Sequence, residues 1–284
     1  MRELVEQLAK GQRLDTKSLS ALLKQCTLDD SLLQFLRDYA VRTARQQFGL
    51  GIYIRGLIEL SSYCRNDCLY CGLRRSNRSA ERYRLTADEV LECCREGYKL
   101  GFRTFVMQGG EDGTHSDAWL EELICRIRSL YPDVAITLSL GERSEESYRR
   151  LKRAGANRYL LRHEAADEEL YASLHPDSRG IKHRLSCIEA LQRAEYQVGM
   201  GMMIGVKGQT IDHIAEDLLL VKKYDCQMVG IGPFLPHRAT PLGEEPAGDL
   251  RLTLAAVAIA RLLLPKALIP ATTALATLTP RGRL

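Results

Sequence analysis

The chain has 284 residues, of which 45% are hydrophobic and 27% charged, a composition typical of soluble globular proteins. Its most apolar stretch, residues 250–264, contains two arginines and ends at Pro265, so it is too short and too charged to span a bilayer. The N-terminal MRELVEQLAKGQRL lacks the apolar core of a secretory signal, which argues against a disulfide scaffold. We therefore expect a cytoplasmic protein without a membrane partner.

Residues 1–50 are predicted to be helical, because DDSLLQFLRDYAVRTARQQF has the apolar spacing of an amphipathic helix. From residue 51 onward, short β-branched segments alternate with amphipathic helical segments. Helices are predicted to begin after Thr86, where Glu89 completes a capping box, and after Ser144 and Thr210. Strands are predicted at 52–60, 103–108, 134–140, 157–163, 197–205, 227–234 and 268–275.

This alternation predicts an α/β protein with a parallel sheet. Seven strand–helix units in a row favour a (β/α)8 TIM-type barrel over an open doubly wound sheet, and polar residues end nearly every strand. The sequence ends about nine residues after the seventh predicted strand, so we expect the barrel to lack its eighth strand. The predicted organisation is an N-terminal helical extension at 1–50 and a barrel domain at 51–284 that is incomplete at the C-terminus.

Three cysteines, Cys64, Cys68 and Cys71, follow the first predicted strand in the pattern C-x3-C-x2-C. The loops after strands form the catalytic face of a barrel, so the motif lies where chemistry is expected. Three thiolates can ligate three irons of a [4Fe-4S] cluster. The fourth iron then has no protein ligand, and its open coordination site can bind a small molecule.

Three other interpretations of the cysteines remain. A structural zinc site normally has four ligands, and the chain has no second C-x2-C pair. A redox pair of Cys68 and Cys71 would leave Cys64 unexplained, and chance spacing of buried cysteines is the third interpretation. The remaining cysteines are interpreted mostly as small core residues; they are Cys26, Cys93, Cys94, Cys125, Cys187 and Cys226.

The net charge of the chain is only +4, and the positive charge is most concentrated in residues 74–84, which contain five arginines and a single acid. A solvated loop, or a loop over an anionic ligand, explains this segment better than a nucleic-acid groove does. We therefore expect no nucleic-acid partner.

Further polar residues lie at the ends of the later strands. Gly109 and Gly110 precede Glu111 after strand two, where consecutive glycines form a tight turn or let the backbone approach a ligand. Strand four ends in Arg162, His163 and Glu164, which cannot all be buried without cost, so at least one should face a polar site unless they form a surface salt bridge. Arg184 is a candidate clamp for a carboxylate, or an ordinary helix-surface arginine.

Four uncharged polar side chains end strands two, three and seven. They can form a substrate or anion site inside the barrel, or they can satisfy the backbone at the strand ends. They are Gln108, Thr137, Thr272 and Thr273.

The cysteine spacing, with Tyr70 just before the last cysteine, resembles the signature of the radical S-adenosylmethionine (SAM) superfamily. Within it, the segments IELSSYCRNDCLYCGLRRSN, QGGED, NRYLLRHE and IPATTALATL resemble the HydE-type maturases of [FeFe]-hydrogenase. This resemblance covers roughly residues 50–280 in register.

The resemblance implies a barrel that carries one [4Fe-4S] cluster and cleaves SAM reductively to a 5′-deoxyadenosyl radical. It implies that Tyr70 lies beside the adenine and that Glu164 holds the ribose. It also implies that Arg184 holds the carboxylate, with Arg162 nearby. Gly109, Gly110 and Glu111 match the segment that meets the methionine amino group.

The same resemblance implies a small organometallic substrate, an iron–cysteine complex with carbonyl and cyanide ligands that is a precursor of the hydrogenase H-cluster. Gln108, Thr137, Thr272 and Thr273 match the polar lining of that family's internal cavity. The implied partners are the other hydrogenase maturases and a low-potential electron donor such as ferredoxin. The family barrel continues into an eighth strand and, in some members, into cysteines for an accessory cluster, which we do not expect here.

Two alternative functions remain at the sequence level. One is a related radical SAM enzyme, such as methylornithine synthase or biotin synthase, which share the barrel and the cysteine triad. The other is an inactive, truncated barrel that binds the cluster without turnover. The RHE and PATT segments favour the maturase over the related enzymes.

Overall fold

The computed structural model describes residues 1–279, which contain a six-stranded parallel sheet. Neighbouring strands in the sheet are also consecutive in the chain. An open doubly wound sheet reverses its strand order partway across, whereas a (β/α) barrel keeps the sequential order seen here. The predicted α/β class and barrel-type architecture are confirmed. The strands are β1 Gly56–Ser61, β2 Thr104–Gly109, β3 Ala135–Ser139, β4 Arg158–Leu160, β5 Gln197–Ile204 and β6 Met228–Pro233.

Helices precede the sheet, connect its strands and follow β6. Three lie before it: α1 Arg2–Ala9, α2 Thr16–Leu28 and α3 Asp30–Phe48. The others are α4 Ala87–Lys99, α5 Asp117–Leu130, α6 Glu145–Arg153, α7 Glu168–Leu174, α8 Gly180–Arg193, α9 Ile211–Lys223, α10 Leu250–Leu263 and α11 Thr273–Leu278.

The predicted helix starts are confirmed. Thr86 and Glu89 form the capping box of α4, and the side chains of Ser144 and Thr210 accept hydrogen bonds from backbone N–H groups in the first turns of α6 and α9. Each cap satisfies a backbone donor that has no partner within its helix. The helices therefore begin where the sequence pattern places them.

The predicted seventh strand at 268–275 is wrong. Leu268 makes a single parallel bridge to Met228 at the start of β6, and the chain then leaves the sheet. Pro270 has no N–H to donate to a neighbouring strand, and Thr272 is the N-cap residue of α11. Within residues 1–279, β1 and β6 are the two edges of the sheet. The end of the predicted barrel domain, residues 280–284, lies outside the described residues.

The N-terminal helices pack on the helical layer of the sheet. Helix α3 contacts α10, and α2 contacts both α9 and α10. Their buried side chains, such as Leu22 and Leu36, belong to the same apolar cluster as Ile259 of α10 and Val198 of β5. One continuous core therefore supports the sheet from which the functional loops project.

The six cysteines outside the C-x3-C-x2-C motif divide into two groups. Cys26, Cys94, Cys187 and Cys226 are buried, as predicted for small core residues, whereas Cys93 and Cys125 are exposed. Within the part of the chain that the structure describes, no helix is both long and apolar enough to cross a membrane.

Candidate active site

The loop after β1 carries the three motif cysteines at the carboxyl ends of the strands. Cys64, Cys68 and Cys71 are half-buried. The backbone N–H of Glu111, in the loop after β2, donates to Cys64 Sγ at 3.4 Å. The loops of the first two strands are therefore in direct contact around the first thiol.

The spacing of the three thiols suits a polynuclear cluster. Within residues 1–279, Glu142, His183 and Cys187 form the group of three metal-ligating side chains whose ligand atoms all lie within 4.8 Å of one another, and the motif cysteines do not form such a group. At least one pair of the three sulfurs therefore lies more than 4.8 Å apart, and in a cubane cluster each thiolate binds a different iron.

The three cysteines can all be deprotonated only if a cation balances their charges. Burial, with the added charges of Cys71 and Cys64, raises the pKa of the Cys68 thiol to about 12. Burial also raises the pKa of Cys71, and the charge of Cys64 adds to the effect. Three thiolates repel one another in a half-buried loop, so bound iron is needed to hold all three deprotonated.

Two arginines of the basic segment 74–84 brace the cysteine loop from inside. Arg74 makes a bidentate ion pair with Asp67, with donor–acceptor distances of 2.9 and 2.6 Å, and it holds the pKa of Asp67 below its ordinary value. Arg82 donates to the backbone carbonyls of Ser62, Leu73, Arg74 and Asn77. This part of the basic segment is therefore internal scaffolding, a role that the sequence analysis missed.

The glycine pair after β2 lets the cysteine loop approach the second strand. A Cβ atom at Gly110 would lie 2.2 Å from Tyr63 O and 2.5 Å from Cys64 Cβ, and one at Gly109 would lie 3.1 Å from Ser61 O. Any side chain at Gly110 would therefore push the first cysteine away.

Glu111 is fixed against the cysteine loop by three neighbours. Its Oε2 lies 2.7 Å from an Arg65 nitrogen, and its Oε1 accepts a 3.0 Å hydrogen bond from the Glu142 N–H. A Cβ at Gly141, which has a positive φ of 73°, would lie 2.1 Å from Glu111 Cγ. The loops after β1, β2 and β3 therefore meet at this carboxylate.

Asp112 ties the end of β1 to the segment that follows the cysteine loop. Its carboxylate accepts hydrogen bonds from Ser61 Oγ at 2.6 Å and from Arg84 at 2.6 and 3.1 Å. Burial alone would raise the pKa of Asp112, but these hydrogen bonds outweigh it and hold that pKa well below its usual range.

The segment after β4 presents Glu164 to the interior of the site. Glu164 has a positive φ of 65°, and its N–H donates to Gly201 O at 3.0 Å. Its Oε1 lies 3.3 Å from Arg162 Nε. Its buried Oε2 has no hydrogen-bond partner among the described residues, so it is an acceptor available to a ligand.

His163 turns the other way and forms a fully buried pair with Asp217 of α9. Its Nε2 lies 3.1 Å from Asp217 Oδ1, which also accepts a 2.6 Å hydrogen bond from the Ala166 N–H. Burial raises the pKa of Asp217 despite these two interactions. The pair anchors the loop on both sides of Glu164 and explains how this residue is held in a left-handed conformation.

Tyr70 is held by a histidine that the sequence analysis missed. Burial lowers the pKa of His175, so its ring is neutral near pH 7. His175 Nδ1 lies 2.9 Å from the Tyr171 carbonyl and so carries the ring proton, which leaves Nε2 to accept from the Tyr70 hydroxyl at 3.0 Å. The aromatic ring before Cys71 therefore has one orientation.

Arg184 of α8 reaches the cysteine loop from the far side. Its Nε donates to Tyr171 Oη at 3.2 Å and lies 3.0 Å from Glu142 Oε1. Burial would lower the pKa of Arg184, but these oxygen atoms raise it, so the guanidinium stays charged. A cavity of about 250 Å³ opens beside it, bounded in part by Cys68, Glu111 and His175.

The four predicted interior residues lie on three elements: Gln108 on β2, Thr137 on β3, and Thr272 and Thr273 at the start of α11. Val106 pairs with Thr137 and Gln108 with Ser139, so Gln108 and Thr137 lie on the same face of adjacent strands. Gln108 donates to Glu59 at 3.1 Å, while Thr137 Oγ1 is buried without a partner in the described residues. Thr272 and Thr273 lie at the start of α11, not at a strand end, and Thr272 Oγ1 faces Gly232 of β6.

Comparisons with known proteins identify the family of the chain. Residues 58–221 match the sequence model of the Radical SAM superfamily. The chain is 47% identical over 239 residues to the [FeFe] hydrogenase maturase subunit HydE of Thermotoga maritima, covering 84% of this chain and 68% of the relative. It is 29% identical to the 3-methylornithine synthase of Methanosarcina acetivorans, covering 94% and 75% of the two chains. The crystal structure of methylornithine synthase superposes with a TM-score of 0.84 at 27% identity, covering 94% of this chain and 78% of the other.

Gly110→Ala should displace the cysteine loop. The added Cβ meets a backbone oxygen and a cysteine Cβ at less than contact distance, so we expect the free energy of unfolding to fall by about 1–3 kcal/mol. Iron bound per chain after anaerobic reconstitution should fall with it. Gly113→Ala is the matched control, because a Cβ there has nothing within 4 Å. Equal iron content in the two variants would contradict the close approach.

Asp112→Asn should weaken the protein in a pH-dependent way. Hydrogen bonds to a charged group stabilise by about 1.5–3 kcal/mol, and we expect a loss of that size at pH 7. Because the folded-state pKa of Asp112 is depressed, its contribution is present above the ordinary aspartate pKa of about 4 and is lost as the pH falls toward the folded value. Urea unfolding of cluster-free protein should show the two curves converging in acid. A difference that stays constant down to strongly acidic pH would rule out this origin.

Proposed function

Because the chain belongs to the HydE-type maturases of the radical SAM superfamily, we propose that it acts on a small iron-containing precursor of the [FeFe]-hydrogenase H-cluster. It is a radical SAM enzyme, and enzymes of this family use a [4Fe-4S] cluster and SAM. When bound, these two groups supply a 5′-deoxyadenosyl radical by one-electron cleavage of the sulfonium carbon–sulfur bond. The observation that carries the proposal is the set of three half-buried cysteines beside a cavity lined by Glu111 and Arg184.

The residues present suit the cluster. Cys64, Cys68 and Cys71 supply three thiolates, and the loop around them is braced by Arg74 and Arg82. The backbone N–H of Glu111 points at Cys64 Sγ, and hydrogen bonds of this kind raise the reduction potential of iron–sulfur sites by stabilising negative charge on sulfur.

The roles proposed for SAM recognition follow the chemistry of each side chain. Arg184 binds the carboxylate, because a guanidinium pairs with carboxylates in a fixed geometry. Glu164 accepts hydrogen bonds from the ribose hydroxyls through its unpartnered Oε2, with Arg162 adjacent. Tyr70, oriented by His175, packs beside the adenine.

The amino group of SAM is assigned to the turn after β2. Glu111 provides a buried carboxylate for an ammonium group, and Gly109 and Gly110 leave room for the ligand to approach the backbone. The negative charge of Glu111 is now balanced by Arg65, whose side chain is 64% exposed and free to move away.

The substrate is assigned to the interior of the barrel. Gln108 and Thr137 lie on one face of the sheet, and the hydroxyls of Thr137 and Thr272 have no partner within residues 1–279. Thr273 follows in the same segment. Uncharged donors suit an iron–cysteine complex whose carbonyl and cyanide ligands accept hydrogen bonds. The other maturases and a reductant such as ferredoxin are the proposed partners.

Replacing Arg184 should weaken SAM binding. Loss of a charge-assisted hydrogen bond costs about 1.5–3 kcal/mol, so Arg184→Met should bind SAM roughly 10- to 100-fold more weakly. Arg184→Lys keeps the charge but loses the planar guanidinium, so its affinity for SAM should lie between those of the wild type and Arg184→Met. Arg193→Met is the control, because Arg193 is an exposed residue of the same helix that pairs with Glu145. Equilibrium dialysis with cluster-loaded protein measures the affinity, and equal binding by Arg184→Met and the control would remove Arg184 from the site.

Turnover tests the proposed substrate. Anaerobically reconstituted protein with dithionite and SAM should form 5′-deoxyadenosine, and a synthetic iron–cysteine carbonyl/cyanide complex should increase its yield while shifting the complex's infrared carbonyl bands. Cys68→Ala should form none, whereas Cys226→Ser, which alters a buried cysteine outside the motif, should behave like the wild type.

The other outcomes identify the competing functions. If the cluster-loaded protein forms no 5′-deoxyadenosine, the alternative of an inactive barrel is supported. If the iron complex does not change the yield, but 3-methylornithine or biotin forms from added precursors, the chain has one of those related activities. That result would overturn the proposed maturase substrate.

A further inference from the structure

Three metal-ligating side chains meet outside the cysteine loop. Glu142 lies in the loop after β3, and His183 and Cys187 lie on α8. The last two are four residues apart on a helix and therefore project from the same face. The ligand atoms of the three side chains all lie within 4.8 Å of one another.

The distances fit tetrahedral coordination of one ion. His183 Nε2 lies 3.7 Å from Cys187 Sγ and 3.5 Å from Glu142 Oε2. Zinc bonds of about 2.0–2.1 Å to nitrogen or oxygen and about 2.3 Å to sulfur place tetrahedral N–S and N–O pairs roughly 3.6 and 3.4 Å apart. The side chains are therefore already positioned to share a cation.

We propose that Glu142, His183 and Cys187 form a mononuclear site for a borderline-soft divalent cation of the zinc type. A thiolate, an imidazole and a carboxylate together select such ions over calcium or magnesium, which prefer oxygen ligands alone. The site uses none of the three cluster cysteines. It shares one contact with the proposed SAM site, because Glu142 pairs with Arg184, but neither the cluster nor the H-cluster precursor takes part in it.

The surroundings orient the ligands. Arg184 Nε lies 3.0 Å from Glu142 Oε1, which leaves Oε2 directed at His183. Cys187 is 5% exposed and its Sγ lies 4.0 Å from the Arg143 carbonyl. Arg179 approaches His183 Nε2 at 3.4 Å and must move aside, which its position at the exposed start of α8 allows.

The fourth coordination position is open to a small molecule. Glu142 and His183 line a cavity of about 520 Å³ that lies over the loops after β2 and β3. Structural zinc sites have four protein ligands, whereas sites with three keep a position for water or a ligand. Arg65 and Arg143 also line this cavity, but they are paired with Glu111 and Asp117, so the lining does not favour an anion and water can serve as the fourth ligand.

Zinc binding to the cluster-loaded chain tests the site. We expect one zinc per chain after desalting, measured by plasma mass spectrometry, and an affinity, measured by chelator competition, that falls at least ~100-fold in His183→Ala and Cys187→Ser. His183 is half-exposed, so its variant should fold even if Cys187→Ser does not. Cys226→Ser is the matched control, because Cys226 is buried like Cys187 but is not in the group.

X-ray absorption at the zinc edge separates this site from the cysteine loop. One sulfur together with nitrogen and oxygen ligands in the wild type supports the proposal. Three sulfur ligands, or zinc affinity that His183→Ala leaves unchanged, would overturn it. Both measurements are made without SAM and without turnover, so failure of the zinc site and failure of the maturase proposal are distinguishable.

Discussion

Three thiolates in one half-buried loop repel one another, and the rest of the site depends on how that repulsion is managed. Without a cation Cys68 and Cys71 remain protonated, because burial raises the pKa of both thiols. The loop keeps its conformation because Arg74 and Arg82 bind it from inside. These contacts do not involve the thiols, so they reduce the free energy needed to order the loop when iron binds.

The loops after successive strands are coupled through a short series of charged side chains. Glu111 joins the cysteine loop to the loop after β3, and Glu142 extends the connection to Arg184 on α8. Each carboxylate has neighbours on two elements and therefore ties adjacent loops together. The proposed zinc-type site would add a further link, since Glu142 contacts both Arg184 and His183.

In the loop after β4, the conformation of Glu164 depends on the buried pair of His163 and Asp217. A glutamate with positive φ is strained, and His163, Asp217 and the Ala166 N–H hold the surrounding loop in place. Burying Asp217 costs free energy, and in return Asp217 holds the loop that positions Glu164. An acid within the buried stripe of α9, between Ile214 and Val221, was the signal in the sequence that could have revealed it.

The sequence by itself determined the cysteine triad, the parallel α/β architecture and the helix caps, because these depend on spacing and on local hydrogen bonds. It failed at residues 268–275, where β-branched composition suggested a strand but Pro270 and the cap at Thr272 end the pairing. Only the tertiary structure decided which charges face one another. The partners of Tyr70 and Glu142 are about 30 to 105 residues away in the chain, and no periodicity encodes a contact between separate loops.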